Sequence, residues 1–327
     1  MTPDNQLFQM ITGRFISQCL YVAASTGVAD YLKDGPRSIH ELAVDTSTNE
    51  RNLYRLLRTL ASVGVFQETE KGIFELTPMG SLLQSDVRGS LRNAAIMYGS
   101  PYHVQAWEEL LESVQTGKTA FAKAHNSSVF EYFQDHPDDF LTFSKTMTGL
   151  SDMVNVPVCE SYHFSEIRTV IDIGGGHGSL LQMILQKNSH VHGALFDMPP
   201  VLTGATPIDR CEFITGNFFE SIPAGFDAYL MKFVLHDWTD EQAVHILRNC
   251  RQAIPDHGKL LVIEYLIPEG NQPSPAKLID IEMMVMTGGK ERTEAEFGKL
   301  FETAGFELNR VIATPSPLVI LEAVPKQ

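Results

Sequence analysis

Long apolar runs are missing from this chain. Among its 327 residues there is no stretch of about 18 uninterrupted apolar side chains, which excludes an ordinary membrane-spanning helix. The start, Met1 to Gln9, has neither a basic cluster nor a following apolar block, so no export signal is expected. Cysteine is scarce: Cys19, Cys159, Cys211 and Cys250 show neither paired nor metal-ligand spacing. Free thiols in a reducing, cytoplasmic setting are therefore expected, and a disulfide framework is not. There is no His-Glu-x-x-His and no cysteine cluster, and His190-Val-His192 alone makes no ligand set; no metal site is expected. Positive charge is short too, with 25 Lys+Arg against 40 Asp+Glu and a net charge of -15, which disfavours nucleic acid and anionic lipid as partners. The deficit is uneven, because the first 100 residues hold nine basic and ten acidic side chains, leaving 16 and 30 for the rest.

What is present is an ordinary globular composition, 43% hydrophobic and 20% charged, long enough for two cores of unequal size. In the front part, Ser38-Ile-His-Glu-Leu-Ala opens with a capping serine, and Leu53, Leu56, Leu57 and Leu60 repeat at helical spacing. Alternation on either side of Lys71-Gly72 then predicts a hairpin. Two short helices and a two-stranded wing make a winged-helix pattern. From Gly89 to about Ser161 the chain is expected to be helical, with Trp107, Leu110, Leu111 and Val114 on one face and Phe130, Phe133, Phe140 and Phe143 as aromatics that fill a core or roof a ligand cavity. After Phe164, five apolar strand-length runs (169–173, 192–196, 212–214, 228–233 and 259–265) alternate with helical segments, which predicts a parallel sheet covered on both faces. Phe306 to Ala313 and Leu318 to Ala323 are too close for a helical crossover and are expected as an antiparallel edge pair.

The strongest local signal is Val170-Ile-Asp-Ile-Gly-Gly-Gly-His-Gly-Ser-Leu-Leu, a strand entering a glycine turn that opens a helix. Such a turn lets a ligand approach the backbone and presents helix-start N–H groups to an anion. The dinucleotide pattern G-x-G-x-x-G/A would put Ser179 at its third glycine, whereas D-x-G-x-G-x-G fits Asp172, Gly174, Gly176 and Gly178. That spacing favours S-adenosylmethionine over a nicotinamide cofactor. Asp197, ending the next strand in Phe-Asp-Met-Pro, suits a ribose in either case.

Together with Leu-Met-Lys-Phe-Val-Leu-His-Asp-Trp, Val-Ile-Glu and Gly-Gly-Lys-Glu-Arg-Thr-Glu, these runs resemble the S-adenosylmethionine-dependent small-molecule O-methyltransferases of the caffeate and hydroxyindole type, including bacterial natural-product members. The resemblance covers nearly the whole chain. It implies an α/β class I methyltransferase sheet, mostly parallel with an antiparallel last strand, preceded by a helical winged-helix domain through which the chain forms a homodimer. The expected boundaries are residues 1–100 for that domain, 101–163 for a helical connector shaping the acceptor pocket, and 164–327 for the catalytic domain.

The resemblance places Asp172, Gly174, Gly176, Asp197, Met198, Asn217, Phe218 and Lys232 around the cofactor, with S-adenosylhomocysteine as product. Asn217 stands where the family usually has an aspartate beside the adenine, so an amide oxygen must accept there. Likewise the resemblance makes His236, Glu264 and Glu291 catalytic, and sets Met147, Asp237 and Met283 at the acceptor. His236 is expected directly after the strand, held against a helix that Thr239 and Gln242 cap as a box. A phenol with a pKa near 10 needs a base, and an imidazole near its ordinary value of ~6.5 can serve. Alone, Glu264 is a strand-end acid and Glu291 a helix-start acid; within the motif set they become partners for the imidazole. The rivals are a winged-helix regulator reading DNA through Arg51, Arg55 and Arg58, which the acidic charge disfavours, a relative doing hydroxylation, decarboxylation or pericyclic chemistry, and a nicotinamide dehydrogenase.

Overall fold

A computed structural model describes residues 2–327, which separate into two compact units, the residues up to 105 with 132–150 and 106–131 with 151–327. In the first unit, helix Ile39–Asp45 begins at Ser38, whose hydroxyl accepts from the Glu41 N–H while the Glu41 carboxylate accepts from the Ser38 N–H. Helix Glu50–Ala61 buries Leu53, Leu57 and Leu60 and turns Arg51, Arg55 and Arg58 outward. Strands β1 (Arg37–Ser38), β2 (Phe66–Glu70) and β3 (Ile73–Leu76) form an antiparallel sheet in the order β1-β3-β2, the hairpin turning at Gly72 with φ 79°. The winged-helix expectation is met, with one strand more than the sequence pattern showed. The long first helix, Pro3–Thr26, crosses helix Arg92–Gly99 so closely that a Cβ on Gly99 would sit 2.3 Å from Tyr21 Cβ. Its opening turns leave Leu7, Phe8, Met10, Ile11 and Phe15 exposed.

The second unit is built on a seven-stranded sheet: β4 (Thr169–Ile173), β5 (His192–Asp197), β6 (Cys211–Thr215), β7 (Ala228–Lys232), β8 (Lys259–Tyr265), β9 (Phe306–Ala313) and β10 (Leu318–Pro325). Their spatial order is β6-β5-β4-β7-β8-β10-β9, the first five parallel and β10 antiparallel to both its neighbours. The two late strands pair as expected, but β10 lies inside and only β9 is the edge. The reason is visible in the sequence: Leu318 to Pro325 is a nearly continuous apolar run buried along its length, whereas Phe306 to Ala313 alternates with exposed residues. Helices cover both faces. One core packs helices Asp240–Ala253 and Glu294–Ala304 on the sheet through Ile246, Leu247, Phe297 and Phe301, and the other packs helix Ser179–Lys187 through Leu181, Ile184 and Leu185. Each such fully buried side chain contributes about 1.5–3 kcal/mol.

Region 89–161 is helical, as expected, but broken into several pieces. Leu111 and Val114 do not pack; they are 68% and 67% exposed on the short helix Leu110–Thr116. Phe133 is buried and Phe130 is not. Among the described residues no helix is long and apolar enough to cross a membrane.

Strand order runs outward from β4 in one direction and from β7 in the other, so a crevice opens at the carboxyl ends of these two neighbours, where open parallel sheets take their ligands. The glycine turn after β4, Asp197 of β5, Lys232 of β7 and Glu264 of β8 all stand at those carboxyl ends.

Candidate active site

The cofactor half of the crevice starts where β4 runs into its glycine turn. Gly174, Gly176 and Gly178 have φ of 65°, 60° and 78°, values that cost a side chain strain. Around Gly178 the chain packs tightly, and a Cβ there would lie 2.6 Å from Ile208 Cδ1; at Gly176 a Cβ would meet nothing within 4 Å. One glycine thus serves helix packing, and the other opens onto space a ligand can use. At the end of β5, Asp197 accepts from the Gly176 N–H at 2.8 Å and the Met198 N–H at 2.7 Å. Burial pushes its carboxyl upward, against these two bonds.

Beside the turn lies a partly buried polar chain. Lys232, last in β7, donates to Asn155 Oδ1 at 2.7 Å, and Asn155 donates to Ser179 Oγ at 2.9 Å. Burial lowers the lysine to about 8, opposed by Asp172, and burial raises Asp172 to about 7, opposed by Lys232. The sequence reading missed Asn155, an amide in a helix with no motif around it. Asn217 uses its side-chain oxygen to accept from the Phe219 N–H at 3.0 Å, which leaves one lone pair for an adenine. Phe218 and Phe219 meet the Trp238 ring edge-on, and Phe130 stacks on Trp238 with centroids 5.3 Å apart.

These residues fit S-adenosylmethionine: an open glycine cradle, a strand-end carboxylate for ribose hydroxyls, and an ammonium at the polar end. Replacing Asp197 with Ala is expected to weaken S-adenosylhomocysteine binding by roughly 10- to 100-fold, the scale of a lost charge-assisted hydrogen-bond pair. Calorimetric titration checks it, and unchanged affinity would remove Asp197 from the site.

The other half of the crevice follows β7. The strand stops at Lys232, one residue short of the 228–233 run, and His236 does not follow directly on it as expected, because Phe233 turns to a positive φ of 55°. A 3₁₀ turn, Leu235–Asp237, then carries His236. Its Nδ1 donates to Glu291 Oε1 at 2.7 Å and lies 3.7 Å from Glu264 Oε2; Nε2 is 3.9 Å from Asp237 Oδ1. Glu264 spends Oε1 on the N–H groups of Val234 and Leu235 at 3.0 and 3.1 Å. The second carboxylate oxygens of Glu264 and Glu291 are buried without a hydrogen-bond partner. The expected catalytic trio is therefore assembled, from segments far apart in the chain.

One expectation fails. The imidazole is not near its ordinary pKa: burial pulls it down, but Glu264, Asp237 and Glu291 outweigh burial and hold it at about 10. Burial in turn raises Glu264 to about 7 and Asp237 to about 6. Donor atoms of His236, Glu264 and Glu291 all lie within 4.8 Å of one another, a spacing a metal ion could use, yet the Nδ1–Glu291 bond and the backbone bonds of Glu264 already engage all three groups.

Met283, half-buried on helix Pro275–Met286, belongs to this unit. Met147 is half-buried in the first unit, on helix Pro137–Ser161. The four cysteines are free thiols.

A class I sheet, a glycine turn with an acid at the end of the next strand, and a carboxylate-flanked histidine fit a methyltransferase that takes its methyl group from S-adenosylmethionine. The chain belongs to the O-methyltransferase family: the O-methyltransferase domain matches residues 107–307 and the O-methyltransferase dimerisation domain matches residues 8–86. It is 46% identical to phenazine O-methyltransferase PhzM of Lysobacter antibioticus, over 98% of this chain and 95% of that protein. The crystal structure of LaPhzM is similar with a TM-score of 0.96 and 44% identity, over 99% of this chain and 100% of that one. CalO1, a methyltransferase of calicheamicin biosynthesis solved with S-adenosylhomocysteine bound, is similar with a TM-score of 0.85 and 33% identity, over 99% of each chain. The protein is thus an S-adenosylmethionine-dependent O-methyltransferase acting on small molecules.

Proposed function

We propose that this enzyme methylates a hydroxyl on a small aromatic or heteroaromatic secondary metabolite, with His236 as the base. The observation that carries this reading is the 2.7 Å bond from His236 Nδ1 to the buried Glu291, at the crevice that also holds the glycine turn. Because Glu291 keeps a proton on Nδ1, Nε2 is the nitrogen left to face an acceptor. S-adenosylmethionine supplies an electrophilic methyl group on a sulfonium. The acceptor oxygen loses its proton as it is methylated, and Nε2 takes it.

At neutral pH the resting imidazole holds that site already filled. The productive state has one proton fewer than the resting state. A neutral imidazole facing a hydroxyl and an imidazolium facing an oxyanion are the same state of charge, so rate depends on pH identically for both. Turnover therefore rises with pH above neutrality. The acceptor is fixed in place by Met283 and Asp237, and thioether contact with a ring is favourable.

The relative most useful for choosing acceptors acts on a phenazine by its name, so hydroxylated fused-ring heteroaromatics head the panel. A methyl ether found by mass spectrometry with one of them, lost in His236→Gln, meets the expectation; full turnover in that variant, or only non-methylated products, refutes it.

We also propose a homodimer. The apolar row Leu7, Phe8, Met10, Ile11 and Phe15 lies exposed within and beside the matched dimerisation region, and a patch of this kind marks an interface. Sedimentation at micromolar concentration is expected to give twice the chain mass, and a monomer there refutes it.

A further inference from the structure

His236 rides on three residues of 3₁₀ helix, and the turn is poorly held by its own backbone. Its two internal bonds, Asp237 N–H to Val234 O and Trp238 N–H to Leu235 O, are both 3.3 Å long. The chain enters it through Phe233 at a φ of 55°, a conformation that persists only when surroundings over-determine it. Something outside the turn must fix it. On the N–H side this is Glu264, as described.

On the carbonyl side it is the segment after helix Pro275–Met286. Arg292 is fully buried, and its guanidinium donates through Nη1 to Leu235 O at 2.8 Å, through Nη2 to Trp238 O at 2.8 Å and through Nε to Asp240 Oδ1 at 2.9 Å. Two residues earlier, the Lys290 N–H donates to His236 O at 2.9 Å. Gly289 lies so close that a Cβ there would fall 2.0 Å from the same carbonyl oxygen. Burying a guanidinium is expensive, and a carboxylate partner alone would satisfy its charge; here two of its nitrogens reach carbonyls that bracket the histidine.

We propose that Arg292 is a positioning residue for methyl transfer: it locks the His236 turn to the strip that carries Glu291, and so sets the distance between base and carboxylate. The inference rests on His236 being the base. Arginine alone has the planar fork for two diverging carbonyls and a carboxylate, and lysine keeps the charge without the fork.

The test is a double-mutant cycle on the full-length enzyme, read as kcat together with S-adenosylhomocysteine affinity. Arg292→Lys is expected to lower kcat by about 10- to 100-fold, the cost of displacing a catalytic group by roughly 1 Å, with affinity changed less than about threefold, within the scatter of a remote substitution. Gly289→Ala, which pushes the strip away without removing a charge, is expected to act in the same direction. In a His236→Gln background neither change should lower the residual rate further. Loss of affinity and thermal stability with kcat per bound site unchanged would make Arg292 merely structural, and additive losses in the cycle would equally overturn the proposal while leaving the base intact. Full activity in His236→Gln itself would instead sink the base reading and this inference with it.

Discussion

In His236→Gln, kcat is expected to fall by about 10²–10⁴-fold, the usual contribution of a general base, while S-adenosylhomocysteine affinity stays nearly that of the unaltered enzyme. Glutamine is the informative replacement, because its amide can still donate to Glu291. Alanine would leave Glu264 and Glu291 buried and facing a hole without a cation, at a stability cost that confuses the readout. The expected split follows from topology. Groups assigned to the cofactor project from the ends of β4, β5 and β7 and from the loop after β6, whereas the imidazole stands on its own turn beyond β7 with partners on β8 and on the strip before helix Glu294–Ala304. Removing its base function should therefore leave nucleoside recognition alone. Titration calorimetry and a radiolabelled methyl-transfer assay on the same preparation separate the two quantities, and parallel losses in both would count against a base.

Much of this site was legible in the sequence because strand ends and turns carry local signatures. The glycine turn, Asp197 and the Thr239–Gln242 box are each specified by residues within a few positions of one another, and they stand as expected. The end of β7 was not legible: Phe233-Val-Leu continues the apolar run, and only the backbone reveals that the strand has already turned. Nor could local patterns show the charge on His236. Its three acids come from the adjacent residue, from β8 and from a strip 55 residues further on, so the sum of their fields exists only in the folded chain. Arg292 was hidden for the opposite reason. In Lys-Glu-Arg-Thr it looks like one more surface charge ahead of a capped helix, and nothing in the sequence says that it is wholly enclosed.

Glu291→Gln and Glu264→Gln should differ sharply although each removes one buried negative charge near the same nitrogen. Glu291 accepts directly from Nδ1. A glutamine there can offer its NH₂ instead, which makes Nδ1 the acceptor and leaves the proton on Nε2, the wrong tautomer for a base; losing the orienting carboxylate of such a pair costs up to about 10⁴-fold elsewhere, and about 10²- to 10³-fold in kcat is expected here. Glu264 acts on the backbone, and a glutamine oxygen can still accept from Val234 and Leu235. Its turn should survive, and the rate at a fixed alkaline pH should drop by less than about tenfold, in the range of a charge neighbour without a direct bond. What does change is the titration. Glu264 is foremost among the acids that hold the imidazolium pKa at about 10; neutralising it favours the unprotonated ring, so the rise of kcat/KM with pH must move toward lower pH. A profile unmoved in Glu264→Gln, or a larger loss there than in Glu291→Gln, would mean that the carboxylate 3.7 Å away, and not the one bonded to Nδ1, governs the histidine.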